Sequence, residues 1–485
     1  MVRYNIGGDN GPPNPALCDF VKEWNEKYAY PKMIVARNSG AMKRLEERYG
    51  DRLPVVKGDF TPYWEDGAAS TAADKALDRR ACDKLVQAQT LWAIFDRGGY
   101  PAERFDQAWT NLIMYDEHTW GAWNSISEPE APFVKQQAAY KQKFALEGAR
   151  MTEELAVEAV GGKSRAGSNA VEVVNTCSWP QTQLVILSPE QSGAGDKVVD
   201  EKGKTVPSQR LGSGELAFVA REVPPFGVRR YSVVKGNGSK QGAAKAAGLA
   251  IANDRLSVEI NPQSGAIQSL RCKGMAGDLV DGSKGQGIND YLYIIGRDPA
   301  QDNQRVEGPV KVTVEDAGPV VATLSIESAA PGCAKLTRKV RIFEGGDTIE
   351  LINIVDKGKE LRPEGVYFMY PLHVPGGIVR IDIPWAAEQP EKDQIPGANR
   401  NFYCVQRWVD ISNEEYGLTW VTVDAPMLQF DPIKIAAAAV GAEQYRQTIE
   451  PGQTFYSWVM NNHWETNYAA YQEGVCTFRY VLRPH

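Results

Sequence analysis

Residues Trp109 to Ser125 read WTNLIMYDEHTWGAWNS. Phe105, Trp109, Leu112 and Ile113 recur at the spacing of one helical face, and the stripe stops where Asp116, Glu117 and His118 stand together. Trp120, Gly121, Ala122 and Trp123 follow, so groups able to bind a metal or move a proton lie beside flat aromatic faces. Carboxylates, an imidazole and indoles together are the composition of a sugar site. A second reading is a helix end whose acids face water and whose histidine is hydrogen-bonded in a core. One histidine does not by itself make a metal site, which takes about three or four protein ligands.

Outward from this stretch, the pattern is helical from about Ala72 to Val160. Leu77, Leu85, Leu91, Trp92 and Phe95 mark one segment, Pro101 opens the next, and Pro132 opens a third carrying Phe133, Tyr140, Phe144, Met151 and Leu155. The joints, at Gly98-Gly99 and around Ser125 to Pro132, are short. Short connections favour antiparallel neighbours, and a three-helix bundle is expected with Asp116 to Ala122 at one helix end.

Beyond the Gly/Ser-rich joint Gly161 to Asn169 the apolar period drops to near two. Val171 to Val174, Gln183 to Leu187 and Arg229 to Val234 read as short strands. After a second linker, Lys235 to Ala247, strands are expected at Leu256 to Ile260, Lys311 to Val314, Val321 to Ile326, Thr348 to Ile352 and Phe478 to Val481. About two-thirds of the chain is thus β-sandwich material.

The first sixty residues read as α/β. Asn14 is placed to cap a helix with Pro15 at its first position, Met33 to Ala36 and Leu53 to Val56 read as strands, and a helix capped at Ser39 lies between them. Such alternation implies parallel strands, yet these units are too few to close a barrel.

Several uncommon strings occur in order: Gly7-Gly8-Asp9-Asn10-Gly11-Pro12-Pro13, Gly58-Asp59-Phe60, Tyr63-Trp64-Glu65-Asp66-Gly67 with Arg79, the Asp116 to Ala122 stretch, and Met460-Asn461-Asn462-His463-Trp464-Glu465-Thr466-Asn467. In these the chain resembles glycoside hydrolase family 38, the zinc-dependent retaining α-mannosidases, in its bacterial branch. The resemblance implies a multidomain α/β + α + β fold. Residues 1–62 would be the C-terminal fragment of an α/β catalytic barrel, 63–165 a three-helix bundle, 166–240 a small β domain and 241–485 a large antiparallel β-sandwich.

The same resemblance implies a zinc cofactor with His118 as one ligand, and Asp9 as general acid/base; a tight-turn role for Asp9 stays open. Asn10, Trp64, Asp66, Arg79, Asp116, Glu117, Thr119 and Trp120 would line the substrate site. Many relatives place a sugar-contacting aspartate where Thr119 stands, so Glu117 or Asp116 would take over that contact. Relatives carry a His-x-Asp zinc pair and a nucleophilic aspartate upstream of the Gly-Asp string. Neither has a counterpart here, so the chain is expected to be the C-terminal portion of such an enzyme and inactive alone. The Asn461 to Asn467 loop is assigned to architecture first, and the Asp382-Ile383-Pro384-Trp385 string and Asp393 to Arg400 are left without a role.

A net charge of -7 argues against nucleic acid as partner, since phosphate binding relies on clustered Lys and Arg. The partner class implied is carbohydrate, an α-mannoside or related glycan, with self-association left open. No stretch is apolar enough for a membrane span, and MVRYNIGGDN has no signal-peptide pattern, so a soluble chain is expected and its compartment stays open. The seven cysteines are scattered singly with no CxxC pair, which points to reduced, mostly buried thiols. No dinucleotide fingerprint, P-loop or Gly-x-Ser-x-Gly elbow occurs. The rival reading is a non-catalytic carbohydrate-binding or scaffold protein built from the helical and β-sandwich parts.

Overall fold

The computed structural model describes residues 11–60, 64–95, 98–162, 169–435, 445–464 and 466–485. Asp9, Asn10 and Tyr63 lie outside the described residues. The chain divides into two compact units, Met1–Gly58 and Asp59–His485.

In the first unit, α1 (Leu17–Lys27) and α2 (Asn38–Tyr49) are followed by a 3-10 turn at Gly50–Arg52. Asn14 Oδ1 accepts the Ala16 N–H at 3.0 Å, but the N-cap of α1 is Ala16, which makes no side-chain cap bond, so Asn14 and Pro15 precede the helix rather than capping and opening it as expected. Ser39 lies inside α2 rather than capping it, with Arg37 at the N-cap. The expected strands Met33 to Ala36 and Leu53 to Val56 are not found, and no barrel fragment is present among the described residues. An extended run becomes a strand only when a neighbour takes up its N–H and C=O groups. Here Asn25 clamps both the N–H and the C=O of Met33, at 3.0 and 2.8 Å, and Ile34 and Val55 are more than four-fifths exposed.

The second unit opens with a 3-10 segment, Glu65–Thr71, leading into α3 (Ala72–Phe95), α4 (Ala102–Tyr115) and α5 (Pro132–Ala159). Leu85, Phe105, Leu112, Met151 and Leu155 meet in one core with Ala81, Ala88 and Ala108. α5 comes so close to α4 that a Cβ on Gly148 would sit 2.6 Å from Leu112 Cδ2. Gly98 and Gly99 both take left-handed φ, +66° and +61°, which only glycine adopts at no steric cost, and they turn the chain between α3 and α4.

From Ala170 onward the described chain is antiparallel sheet. A four-stranded and a three-stranded sheet share a small core of Leu187, Val198, Phe218, Tyr231 and Val233. Nine-stranded, six-stranded and four-stranded sheets then enclose a larger core in which Tyr370, Trp420, Phe455 and Tyr480 pack ring against ring. Leu256–Ile260 is a strand with the expected ends, its odd and even residues alternating between core and surface. Asp290–Ile295, Glu364–Pro371 and Thr454–Asn461, buried almost throughout, are strands that the period-two pattern does not reveal, because both of their faces are covered. All seven cysteines are free, but only Cys476 is buried and Cys18 is exposed, so the thiols are less buried than expected. No helix among the described residues is long and apolar enough to cross a membrane.

Candidate functional site

α4 ends at Tyr115, and the chain that follows is tied to the loop after the strand Thr454–Asn461. Gly121 N–H donates to Asn467 O at 2.6 Å, Ser125 Oγ to Tyr468 O and Thr466 Oγ to Trp123 O. Gly121 is required there: a Cβ would lie 2.3 Å from Tyr468 O. The Glu65–Thr71 segment lies against the same loop, with Asn461 Nδ2 on Asp66 O at 2.8 Å and Gln472 Nε2 on Ala69 O at 2.7 Å. Gln472 Oε1 also accepts the Ala72 N–H at the start of α3. Three stretches far apart in sequence therefore converge on one place.

There the His118 ring stacks on Trp64, centroids 5.4 Å apart and planes at 28°. Trp64 meets Trp464 edge-on at 5.9 Å, and Trp464 stacks on Tyr468 at 5.8 Å, so four rings form a row. The His118 side chain is 61% exposed and its Nδ1 is 2.6 Å from Glu117 Oε1. A carboxylate this close to Nδ1 favours the proton on that nitrogen and leaves Nε2 to act as a ligand, the arrangement that metal-ligating histidines use.

Glu117 is itself held. Thr119 donates to it from both its backbone N–H and its hydroxyl, at 3.1 and 3.0 Å, and buried Lys141 reaches its second oxygen at 3.2 Å. Burial pushes the Glu117 carboxyl up, but the Thr119 hydrogen bonds and the Lys141 charge outweigh that and leave it below the usual range. Asp116 is paired with Lys75, which also holds buried Asp78 at 2.9 Å. Asp66 accepts a hydrogen bond from the Tyr468 hydroxyl. Burial, against that bond and helped by Glu65, pushes the Asp66 carboxyl up to about 7.

Two of the expected sugar contacts meet a different geometry. The Arg79 guanidinium is buried and donates to the backbone carbonyls of Gln406, at 2.7 Å, and Val423, at 3.3 Å, which ties α3 to the sheets. Trp120 turns inward, 5% exposed, so close to Gly67 that a Cβ there would overlap its indole. Asn461, Asn462 and His463 are buried, and the Asn462 amide bonds the carbonyls of Ala470 and Arg362. Tyr468, Lys75 and Lys141 were not singled out from sequence. The only local sign of Tyr468 is the left-handed residue before it, Asn467 at φ +60°, and no sequence pattern reports that.

One imidazole does not hold zinc, and among the described residues no three His, Cys, Asp or Glu side chains converge as a metal cage. What the residues present do fit is a single histidine ligand with its supporting carboxylate.

The helical segment followed by antiparallel sheets is a fold found in solved glycoside hydrolases. The chain superposes on an α-mannosidase from Enterococcus faecalis V583 with a TM-score of 0.71 and 15% identity, over 98% of this chain and 62% of that one. A protein of glycosyl hydrolase family 38 from Enterococcus faecalis matches with a TM-score of 0.67 and 14% identity, over 96% and 62%. The fold is thus that of the C-terminal part of a family 38 α-mannosidase, and the chain spans about 62% of the length of these structures. No family model matches the chain, and no curated protein does.

Proposed function

We propose that this chain is the helical and β-sheet part of a retaining α-mannosidase-type glycosidase and that it presents His118 to a sugar site. The observation that carries the reading is the exposed imidazole fixed between Glu117 and the Trp64 face, at the head of a row of aromatic rings. Indole faces suit the C–H side of a pyranose, and Asp66, Asp116, Glu117 and Thr119 supply hydroxyl partners around it. Asp9, in the Gly-rich string, is assigned the general acid/base role, protonating the departing glycosidic oxygen and later activating water. A retaining double displacement needs a second carboxylate about 5–5.5 Å from the first. Zinc, when bound, would orient the sugar, with His118 Nε2 as the ligand from this chain.

The test measures binding and hydrolysis of an aryl α-mannoside by the chain as given, with zinc present. Binding without appreciable turnover, weakened by His118→Ala and by Trp64→Ala, is the expected result. Absence of binding, or binding indifferent to both substitutions, overturns the reading. Rapid turnover by the unaided chain would refute its need for further catalytic residues.

A further inference from the structure

The face that α5 turns to α4 is made of small and apolar residues, with one exception. Lys141 stands four and seven positions before Ala145 and Gly148, so it belongs to the same buried stripe, and it is 6% exposed. An ammonium withdrawn from water is costly unless each of its three protons finds an acceptor. Here all three do. Nζ donates to the carbonyls of Glu117, at 2.5 Å, and Met114, at 3.4 Å, and to Glu117 Oε2 at 3.2 Å.

The two carbonyl bonds close the C-terminal end of α4, where a cation suits the exposed C=O groups. A helix cap needs no more than those. The third bond goes to the carboxylate whose other oxygen lies 2.6 Å from His118 Nδ1. Lys141 Nζ is also fixed from the inner side, 5.1 Å from the Trp120 ring and 6.0 Å from the Tyr115 ring. Lys75 of α3 approaches the same Tyr115 ring at 5.8 Å and pairs with Asp116. Two consecutive acids are thus held by lysines of two different helices, and His118 is the next residue.

We propose that Lys141 is a positioning residue of the sugar site: by gripping Glu117 through its backbone and its carboxylate at once, it sets the direction in which His118 presents Nε2. Thr119 holds the same carboxylate from its own N–H and hydroxyl, so Glu117 is braced between the loop and α5. Support of this kind is what keeps a ligand in one geometry. The proposal rests on the reading of His118 as the residue presented to sugar, but the chain of contacts from Lys141 through Glu117 to the imidazole can be tested without sugar.

The chain has four histidines, so the imidazole proton signals of the full chain can be followed one by one. His118 should carry a ring-current shift from the stacked Trp64 indole, which Trp64→Leu removes. Lys141→Met keeps the apolar stem and removes the ammonium. The expected result is loss of most of the His118 shift, with His373, His463 and His485 unmoved, and a fall of about tenfold or more in affinity for an aryl α-mannoside with zinc present. Should Lys141→Met not fold, Lys141→Gln, which keeps two N–H donors, is read in the same way. Phe144→Leu, which thins the neighbouring core around Trp120, is the packing control and should leave the His118 shift in place. An unmoved His118 signal in Lys141→Met, an equal change in Phe144→Leu, mannoside affinity indifferent to Lys141→Met, or failure of both Lys141 variants to fold overturns the proposal. If the unaltered chain binds no mannoside while the His118 signal responds as described, the sugar reading fails and Lys141 still positions the imidazole.

Discussion

The His118 imidazole lies against the Trp64 indole, centroids 5.4 Å apart, while its Nδ1 sits 2.6 Å from Glu117 Oε1. Stacking fixes the plane of the ring and the carboxylate fixes its rotation about that plane. An exposed histidine so constrained presents one nitrogen in one direction, which is what a ligand contributed to a shared site requires.

Removing the carboxylate should release that constraint. Glu117→Ala is expected to shift the His118 tautomer away from the Nδ1–H form, read from long-range nitrogen-proton couplings. Lys141 also loses its side-chain partner but keeps the backbone carbonyl of Glu117, so the fold should survive. An unchanged tautomer ratio would show that Glu117 does not orient the ring.

Asp66 makes stability depend on pH. In the folded protein burial raises its pKa to about 7, above the ordinary carboxyl value of 3.8, so the unfolded chain gives up this proton first as pH rises. The stability contributed by the protonated group is full below about pH 4 and is lost as pH climbs through about 7. Asp66→Asn keeps an acceptor for Tyr468 and cannot ionise, so its stability relative to the unaltered chain should improve steadily across that window. Denaturant unfolding at pH 4, 6 and 8 measures the trend, and parallel pH profiles for the two proteins would refute it.

Gly67→Ala places a Cβ 1.8 Å from Trp120 Cδ1. Overpacking of this kind costs about 1–3 kcal/mol, read as a lower unfolding midpoint. Since Trp120 packs on Tyr115 and under the Lys141 ammonium, the same substitution should raise the hydrogen exchange of residues 116–125.

Arg79→Met tests whether this residue binds sugar or holds the fold. Two backbone carbonyls lose a charged donor, and a loss of about 2–4 kcal/mol is expected. Mannoside affinity in the remaining folded protein should stay unchanged; a selective loss of affinity without loss of stability would return Arg79 to the sugar site.

Local pattern was enough for the helices from Ala72 to Ala159 and for the half-buried strands, because each shows its period to solvent on one side, as Leu256–Ile260 does. It misled at Met33 to Ala36 and Leu53 to Val56, where β-forming residues stay unpaired among the described residues: apolar composition makes a run fit for a sheet but does not supply the neighbouring strand. It was silent on Glu364–Pro371 and Thr454–Asn461, whose two covered faces leave no alternation.

The amino-acid order alone determined that Asp116, Glu117 and His118 follow an apolar helix, since adjacency along the chain is itself geometry. Only the tertiary structure decided that Glu117 holds the histidine, that Trp64, Trp464 and Tyr468 come to it, and that Arg79 and Trp120 are taken up by the interior. These contacts join residues up to about four hundred positions apart, as between Asp66 and Tyr468. Such pairings are set by how helices and sheets pack on shared cores, and no local spacing of residues records that packing.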